Sequence, residues 1–596
     1  MKIARKIFQP SARGYALFMT LIFIAAALLL LGSVMDWSNG NARQTERNNL
    51  FGMSEAAAEA ATESAIAKMT FDFFNQNFVS SPTNYYMTNS VSRLPITTAW
   101  PVGFSFSNPI SSSSPIYIGV VPINWTVNWT NLFSSNYAGL HAYVANCTVI
   151  STATTTNQPY NVSATVTETF QLASIPLFQY TAFYDLDMEV DPGATMTLSG
   201  PVFSNGSIWA RGPNIYNSSV TAVGVVSTNN ADPWLTTKTD GTGSTFSQTP
   251  ATNADTLAMP IGQTNDPTAI RALLGLPPAG TSPYSPAGQL YFANQATMVI
   301  SNSSSGVIKA FLQDSNNVTP LTAIPYDVVT VTNLGVQKFT NYSYSFASNT
   351  TFYDYREKKT VQAVQINVGA LSTWITSTNG SSLNTQLYND TSGYIDSVYV
   401  YNNANASSSS LPSVRVANGA TLPANGLTVV TPEPLYVLGN FNASGSSLNN
   451  GTNVVNALPA ALMGDSLTAL SSLWSDSYSL THTGDTKPDG RGAGLTTINA
   501  ATFEGIVPTA NGNYSGGLEN FIRLLESWSG VNLTYNGSIV VMFPSKYATN
   551  IWITPGTYYN APVRKWAFDL NFMQQNGLPP LTPRVTAKCP GTWSVY

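Results

Sequence analysis

The chain has 596 residues, of which 43% are hydrophobic and only 9% charged, and its formal net charge at pH 7 is −5. This charge excludes nucleic-acid binding, which needs a positive surface. Aromatic residues make up 11% of the chain, whereas disordered chains are usually rich in charge and poor in aromatics, so the composition indicates a folded, β-rich, extracytoplasmic protein.

An uncharged segment from Tyr15 to Met35 follows a leader with four basic residues. As a helix this segment is roughly 30 Å long, which is the hydrocarbon thickness of a bilayer, whereas the apolar part of a secretory signal has only about 7–15 residues. The segment therefore predicts a membrane-spanning helix. Because positive charges stay on the cytoplasmic side, we expect residue 1 in the cytoplasm and the rest of the chain outside.

Apolar residues then recur three or four positions apart between Leu50 and Phe73, and Ala and Glu fill most of the positions between them. This spacing predicts an amphipathic stalk helix that continues the membrane segment. Its many alanines also favour close approach of neighbouring helices.

The junction between leader and apolar segment reads "RGYAL", with Gly14 directly before Tyr15. It resembles the class III signal of type IV pilins and pseudopilins, and the stretch "NARQTERNNLFGMSEAAAEAA" is similar to PilX-type minor pilins. The resemblance implies that prepilin peptidase cuts after Gly14 and that Tyr15 becomes the methylated N-terminal residue. The helix then anchors the chain in the inner membrane and packs against other pilins in a filament.

The fifth position of the expected mature chain is Met19. Shaft-forming members of the resembled family carry a glutamate there, and the tip-type pseudopilin lacks it. A carboxylate in lipid is costly unless it is paired, so its absence removes a docking contact toward one neighbour. Met19 therefore favours a minor or tip subunit.

Beyond the stalk, alternating apolar and polar residues around the "NQPYN" turn predict antiparallel strands. Later segments are short β-runs broken by Gly, Asn and Pro, which favours a β-solenoid, with a β-sandwich as the alternative. We predict an α+β chain of four parts: a leader (1–14), a transmembrane and stalk helix (15–78), a β-rich module (79–185) and a β-rich head (186–596).

Two inserts in the head are predicted to be helical. "DPTAIRALLGLPP" offers an Asp N-cap with proline at the first helical position, and "GGLENFIRLLESWSG" has apolar residues at helix spacing that end near Gly530. The order of these and neighbouring blocks is similar to that of large bacterial pilin-like proteins with a PilX-type N-terminus. This second resemblance supports the architecture and leaves the activity open.

Carboxylates alternate in "YDLDMEVD" at Asp185, Asp187, Glu189 and Asp191. On one strand they project from one face, where their oxygens are the ligands that Ca²⁺ prefers. The plainer interpretation is a charged strand edge that discourages pairing with other chains. We therefore expect no cofactor, and calcium is the only alternative.

Catalytic motifs are scarce. The two histidines, His141 and His482, lie in a strand-like segment and in a loop, so no paired-histidine metal site is expected. Asp485 and Asp489 fit a polar loop, with a second calcium loop or the acid pair of a polysaccharide-cleaving enzyme as alternatives. No Gly-x-Ser-x-Gly, His-Glu-x-x-His or phosphate-loop motif occurs.

The block "FYDYRE" carries Asp354, Arg356 and Glu357, for which a structural ion pair is predicted. The only two cysteines are Cys147 and Cys589. Isolated pairs in an oxidising compartment are often bridged, so a disulfide between the C-terminal tail and the β-rich module is a candidate. The spacing in sequence does not show whether the two side chains can meet.

Three functions remain. The leading one is a structural pilin-like subunit, single-pass in the inner membrane, whose head is periplasmic or displayed on a filament. The second is an envelope-anchored adhesin that binds a glycan or another surface through exposed aromatic residues. The third is a membrane-anchored polysaccharide hydrolase or lyase, which needs carboxylates that converge in a groove. We expect that this protein is not an enzyme.

Overall fold

A computed structural model describes residues 13–75, 103–110, 116–121, 129–132, 137, 139–228, 243–262, 265–313, 322–323, 327–333, 337–377, 395–444, 457–510 and 513–596. It shows a long N-terminal helix followed by a mainly β head, as predicted. The predicted boundary between residues 78 and 79, and most of the predicted leader, lie outside the described residues.

The first element is α1 (Arg13–Phe74), a single helix of 62 residues. Every residue from 15 to 49 is exposed, and Leu50 is the first buried one. From there a stripe at spacings of three and four is buried, and it includes Ala58, Ile66 and Met69. The predicted amphipathic stalk is thus a continuation of the apolar helix.

The first sheet packs against the stalk half of α1. Its early strands are β1 (Phe104–Ser107), β2 (Ile116–Val121), β3 (Trp129–Asn131), β4 (His141–Thr155) and β5 (Ser163–Pro176). Strands β4 and β5 pair antiparallel from Tyr143 opposite Ser174 to Thr154 opposite Ser163, which is the pairing predicted around the "NQPYN" turn.

The next strands are short and form three-strand turns of a coil. They are β6 (Ala182–Tyr184), β7 (Met188–Val190), β8 (Met196–Leu198), β9 (Val202–Ser204), β10 (Ile208–Ala210), β11 (Asn214–Tyr216), β12 (Val220–Ala222), β13 (Val226–Ser227) and β14 (Thr245–Phe246). Each strand pairs in parallel with the equivalent strand of the next turn, so that Ala182, Val202 and Val220 are register partners.

The remaining strands follow in chain order, and most of them extend the stacked sheets. They are β15 (Met298–Asn302), β16 (Ile308–Leu312), β17 (Thr322–Ala323), β18 (Asp327–Asn333), β19 (Gln337–Ser343), β20 (Ala347–Asp354), β21 (Lys359–Asn367), β22 (Ser397–Asn402), β23 (Ser410–Gly419), β24 (Leu427–Val430), β25 (Leu435–Phe441), β26 (Ala460–Met463) and β27 (Leu467–Leu470). The last are β28 (Thr496–Asn499), β29 (Ala501–Ile506), β30 (Arg523–Leu524), β31 (Asn532–Gly537), β32 (Ile539–Pro544), β33 (Val563–Phe568) and β34 (Arg584–Val595).

The short α-helices in the head are α2 (Pro267–Ala272), α3 (Phe292–Gln295), α4 (Val368–Thr376) and α5 (Asp476–Thr481). The Asp266 side chain caps α2 by accepting from the N–H groups of Thr268 and Ala269, and Pro267 opens the helix, as predicted. Single 3₁₀ turns occur at Leu177–Gln179, Gly288–Leu290, Leu518–Asn520, Leu570–Met573 and Gln575–Gly577.

Two large sheets run along the coils. One has the order β12-β9-β6-β32-β29-β26-β24-β22-β15-β16-β17, and the other β20-β21-β23-β25-β28-β31-β33 with β27 and β30 paired beside this path. Most of their pairs are parallel, and many of their strands are buried on both faces. The stacked, mainly parallel strands between β6 and β33 are called the solenoid below, after the β-solenoid that the sequence predicts.

The order of the strands in the sheets differs from their order along the chain. Strand β6 pairs with β32, so the first three turns of the coil lie beyond the last ones. The C-terminal strand β34 pairs antiparallel with β5 and so belongs to the first sheet. The division into module and head stays a prediction, and these two pairings tie the predicted parts together.

The prediction of a helix in "GGLENFIRLLESWSG" is wrong. This segment has one 3₁₀ turn, Leu518–Asn520, and the short strand β30. Leu525 and Trp528 are fully buried inside the solenoid, and Gly516 and Gly517 have positive φ angles of 98° and 71°. A surface helix buries one face only, and it does not begin with residues in the left-handed region of φ. Side chains buried on more than one side and two glycines with positive φ therefore fit a coil of the solenoid better than a surface helix.

Candidate functional site: the exposed helix and the polar interior of the head

The exposed half of α1 is the most unusual surface of the described chain. Tyr15 is 74% exposed, Leu29 76% and Trp37 70%. This helix is also the one, among the described residues, that is long and apolar enough to cross a membrane. An apolar surface of this length is stable only in lipid or against other apolar helices.

The polar side chains within the apolar segment bond inside the helix. The Thr20 hydroxyl donates to the Leu17 carbonyl at 2.8 Å, and the Ser33 hydroxyl donates to the Leu29 carbonyl at 2.9 Å. In lipid, where no water can bond these hydroxyls, such internal bonds satisfy them. The segment is therefore suited to apolar surroundings along its length.

The stalk half of α1 is fixed to the first sheet. The Ser54 hydroxyl donates to the Val162 carbonyl at 2.9 Å, and the Arg47 guanidinium lies 4.5 Å from the centre of the Tyr160 ring. Ala58 has no exposed surface, so the helix backbone lies close to the sheet at this point. One rigid element thus joins the exposed apolar surface to the head.

The predicted processing site lies at the start of this helix. Gly14 falls in the first turn of α1, Tyr15 is exposed, and Met19 is 43% exposed. Cleavage after Gly14 stays a prediction.

The acidic stretch "YDLDMEVD", which was considered as a calcium site, contains a corner of the chain. Asp185 and Asp187 lie in the corner between β6 and β7, Glu189 lies in β7 and Asp191 follows it, so the four carboxylates do not share one strand. The Asn205 amide donates to Asp185 at 2.5 Å, and the Ser207 N–H donates to Asp187 at 2.7 Å. Burial raises the pKa of Asp185 to about 6.

The other two residues of that stretch have separate partners. Glu189 accepts from the hydroxyls of Thr509 and Ser515, both at 2.6 Å. The Asp191 N–H donates to Glu519. In the described part of the chain, no group of three His, Cys, Asp or Glu side chains is arranged to hold a metal ion.

The two cysteines lie on opposite faces of the first sheet. Cys147 is opposite Phe170 of β5 and Cys589 is opposite Gln171, and neighbouring residues of a strand point to opposite faces. They also lie two strand spacings apart, which is about 10 Å, whereas a disulfide needs Cα atoms within about 7 Å. No disulfide joins them in this geometry.

The two histidines have different neighbours and do not form a common site. His141 stacks on Trp129, with ring centres 5.5 Å apart, and burial lowers its pKa. His482 stacks on Tyr478 at 3.9 Å. Asp485 pairs with Arg491 at 3.3 Å, and Asp489 is exposed in the same loop.

The "FYDYRE" block enters a buried group of charges. Its predicted ion pair forms with a distant residue, because Glu357 pairs with Arg523 at 2.6 Å. Asp354 accepts from the Tyr436 hydroxyl at 2.6 Å. Arg356 is only 6% exposed, and its Nε donates to the Asn550 carbonyl at 3.1 Å.

Sequence reasoning missed a set of carboxylates at one corner of the solenoid. Glu433 precedes β25, Asp465 precedes β27, and Glu504 lies in β29 of the next turn. All three are at most 2% exposed. Burial raises the pKa of Glu433 to about 8 and that of Glu504 well above its usual range. An isolated acid inside an apolar run, as in "AATFEGIV", is the sequence signal that marks such a position.

The comparisons with known proteins add little to this geometry. No protein-family model matches the chain, and no curated protein matches it. Among solved structures, the competence-associated pilin ComZ from Thermus thermophilus is similar with a TM-score of 0.26 and 10% identity, over 92% of this chain and 98% of that one. A TM-score of this size does not establish a common fold, so the functional argument depends on the chain's own residues.

Proposed function

We propose that this protein is a pilin-like structural subunit, anchored in the inner membrane by residues 15–35 and assembled through α1 with other pilins. Prepilin peptidase removes residues 1–14, and the β head lies in the periplasm or on the filament. One observation carries the proposal: α1 is unbroken, wholly exposed over its apolar half and buried against the head from Leu50.

This geometry favours a subunit over a simple anchored protein. A plain anchor needs only to cross the bilayer, whereas α1 continues rigidly for another 25 residues, from Leu50 to Phe74, and holds the head at a fixed angle. A rigid joint of this kind lets the head follow the helix when the helix leaves lipid for a filament. Met19 and the internally bonded hydroxyls are compatible with either apolar environment.

The head and Met19 together favour a minor or tip position. Subunits in a shaft stack closely along their shared helices, and a β head of this size on each of them leads to collisions. Only the end of a filament leaves one side open. A tip subunit also needs no carboxylate at position 19 to receive the amine of a further neighbour.

Mass spectrometry of the native N-terminus tests the processing step. We expect the purified protein to begin at Tyr15 with a methylated amine, and Gly14→Val to retain the leader. Gly32→Val is the matched control, because Gly32 lies in the same apolar helix away from the junction, where no atom within 4 Å meets an added Cβ. A native chain that begins at residue 1, or between residues 33 and 41, contradicts the assignment.

Immunogold labelling of the head tests the position. We expect label at filament ends or at scattered envelope sites, in low stoichiometry. Uniform label along filaments contradicts the tip position while leaving the pilin-like role intact.

A further inference from the structure

A cleft of about 270 Å³ opens on the side of the solenoid between three loops. The turn between β20 and β21 contributes Tyr355, Arg356 and Lys358, a second loop contributes Thr486, and a third contributes Asn550 and Thr557. The volume is just below that of sites for drug-sized ligands, so the cleft suits a molecule of about the size of one sugar unit.

Arg356 lines this cleft, and also a neighbouring cavity of about 20 Å³, without a paired acid. In the part of the chain that the structure describes, no carboxylate lies within salt-bridge distance of its guanidinium, and only its Nε donates a hydrogen bond. The nearby acids have other partners, since Glu357 pairs with Arg523 and Asp354 accepts from Tyr436.

A buried guanidinium without a counter-ion is costly, and an arriving anion removes that cost. Burial, together with the neighbouring Arg523, lowers the pKa of Arg356 to about 10. Arg356 therefore remains positively charged at neutral pH, and the two acids near it, Glu357 and Asp354, are bound by Arg523 and Tyr436.

Lys358 adds a second positive side chain to the cleft. Lys358 is exposed at its rim and has a positive φ of 54°, a conformation that non-glycine residues rarely adopt outside tight turns. Asp485 also lines the cleft, but it pairs with Arg491. The hydroxyls of Thr486 and Thr557 are hydrogen-bonding groups of the kind that bind sugars.

We propose that this cleft binds a small, polar molecule that carries one carboxylate or phosphate group, with the terminal nitrogens of Arg356 on the oxyanion and Lys358 at its rim. A planar guanidinium binds two oxygens of such a group at once. An acidic sugar and a phosphorylated metabolite share this chemistry. The site belongs to the head and does not depend on assembly through α1.

Isothermal titration calorimetry on the full chain in detergent micelles tests the proposal. We expect heat of binding with glucuronate, with inorganic phosphate or with both, and none with glucose. Binding of glucuronate alone identifies an acidic sugar, and binding of phosphate identifies a phosphate-bearing ligand. Raising the salt concentration should weaken binding, because the interaction is between charges.

Variants locate the binding. We expect Arg356→Gln to weaken it at least tenfold and Lys358→Gln about threefold, because Lys358 is exposed to solvent. Lys359→Gln is the matched control, since it removes the same charge one residue outside the cleft. If Arg356→Gln fails to fold, Lys358→Gln and the salt dependence still decide. Absence of binding to both anions, equal binding of glucose, or equal loss in Lys359→Gln overturns the proposal.

Discussion

Asp465 and Glu357 between them accept the backbone N–H groups of five consecutive residues, 546–550. Asp465 accepts from the first three, at 2.6 to 2.9 Å, and Glu357 accepts from the last two, both at 3.1 Å. This segment follows β32 and has no helix or strand of its own. Because unpaired N–H groups are costly inside a protein, two buried carboxylates replace the missing secondary structure.

Asp465→Asn should destabilise the head. Asp465 also pairs with Arg271 at 3.1 Å, so the substitution leaves a guanidinium without its charge partner and directs an amide N–H₂ at backbone donors. Breaking a buried pair of this kind costs about 3–5 kcal/mol. We expect a lower urea midpoint and faster proteolysis between residues 545 and 551. Asp489→Asn is the exposed control, and equal midpoints for the two variants contradict the anchoring role.

The head should become less stable as pH rises from about 5 to 8. Burial raises the pKa of Glu433 to about 8 and those of Glu519 and Glu526 to about 7, against an ordinary value of 4.5. In that range the folded state binds more protons than the unfolded state, so the stabilisation is complete below pH 4.5 and is lost toward pH 8. Each carboxyl contributes at most about 1.4 kcal/mol per pH unit.

Thermal midpoints at pH 5.5 and 8.5 measure this dependence. Glu433→Gln, which keeps the shape of the side chain without its charge, should remove part of the difference. Glu46→Gln, on the exposed part of α1, should leave it unchanged. A midpoint that rises with pH contradicts the prediction.

Both cysteines should remain thiols in the native protein. They lie on opposite faces of the first sheet, and burial raises the pKa of Cys147 to about 12, so its reactive thiolate is scarce. We expect little alkylation of the folded chain and labelling of both residues in denaturant. A peptide that links Cys147 to Cys589 under non-reducing conditions shows that the strand order at β34 is different.

Local patterns predicted the elements made of consecutive residues. The spacing between Leu50 and Phe73 and the alternation through β4 and β5 depend only on near neighbours, so the long helix and the antiparallel pair were predictable. In "GGLENFIRLLESWSG" the same reasoning failed, because a coil of the solenoid buries Leu525 and Trp528 together with residues that a surface helix exposes.

Distant pairings were not predictable. No local signal shows that β34 returns to β5, that β6 stacks on β32, or that Glu357 pairs with Arg523. The unpaired Arg356 follows from that last pairing, because its neighbour in sequence is engaged elsewhere. The candidate site in the head therefore required the structure, whereas the apolar helix required only the sequence.

The stalk of α1 offers a test of how the head is held. Ala58 is fully buried between the helix and the first sheet, near Ala153 and Val166, whereas Ala60 is exposed on the opposite side. Leucine has nearly the helix propensity of alanine, so replacing either residue leaves the helix itself intact and changes only what lies against it. Additional carbons in a close-packed contact cost about 1–3 kcal/mol.

We therefore expect Ala58→Leu to lower the thermal midpoint of the first sheet and to speed proteolysis of the stalk between Leu50 and Phe74, and Ala60→Leu to change neither. In cells, Ala58→Leu should also reduce assembly, because a head that is no longer held at a fixed angle cannot follow its helix into a filament. If Ala58→Leu keeps full stability, α1 is not packed on the sheet as the structure shows. If it loses stability but assembles normally, the rigid joint is not needed, and the argument for a subunit over a simple anchor loses its main support.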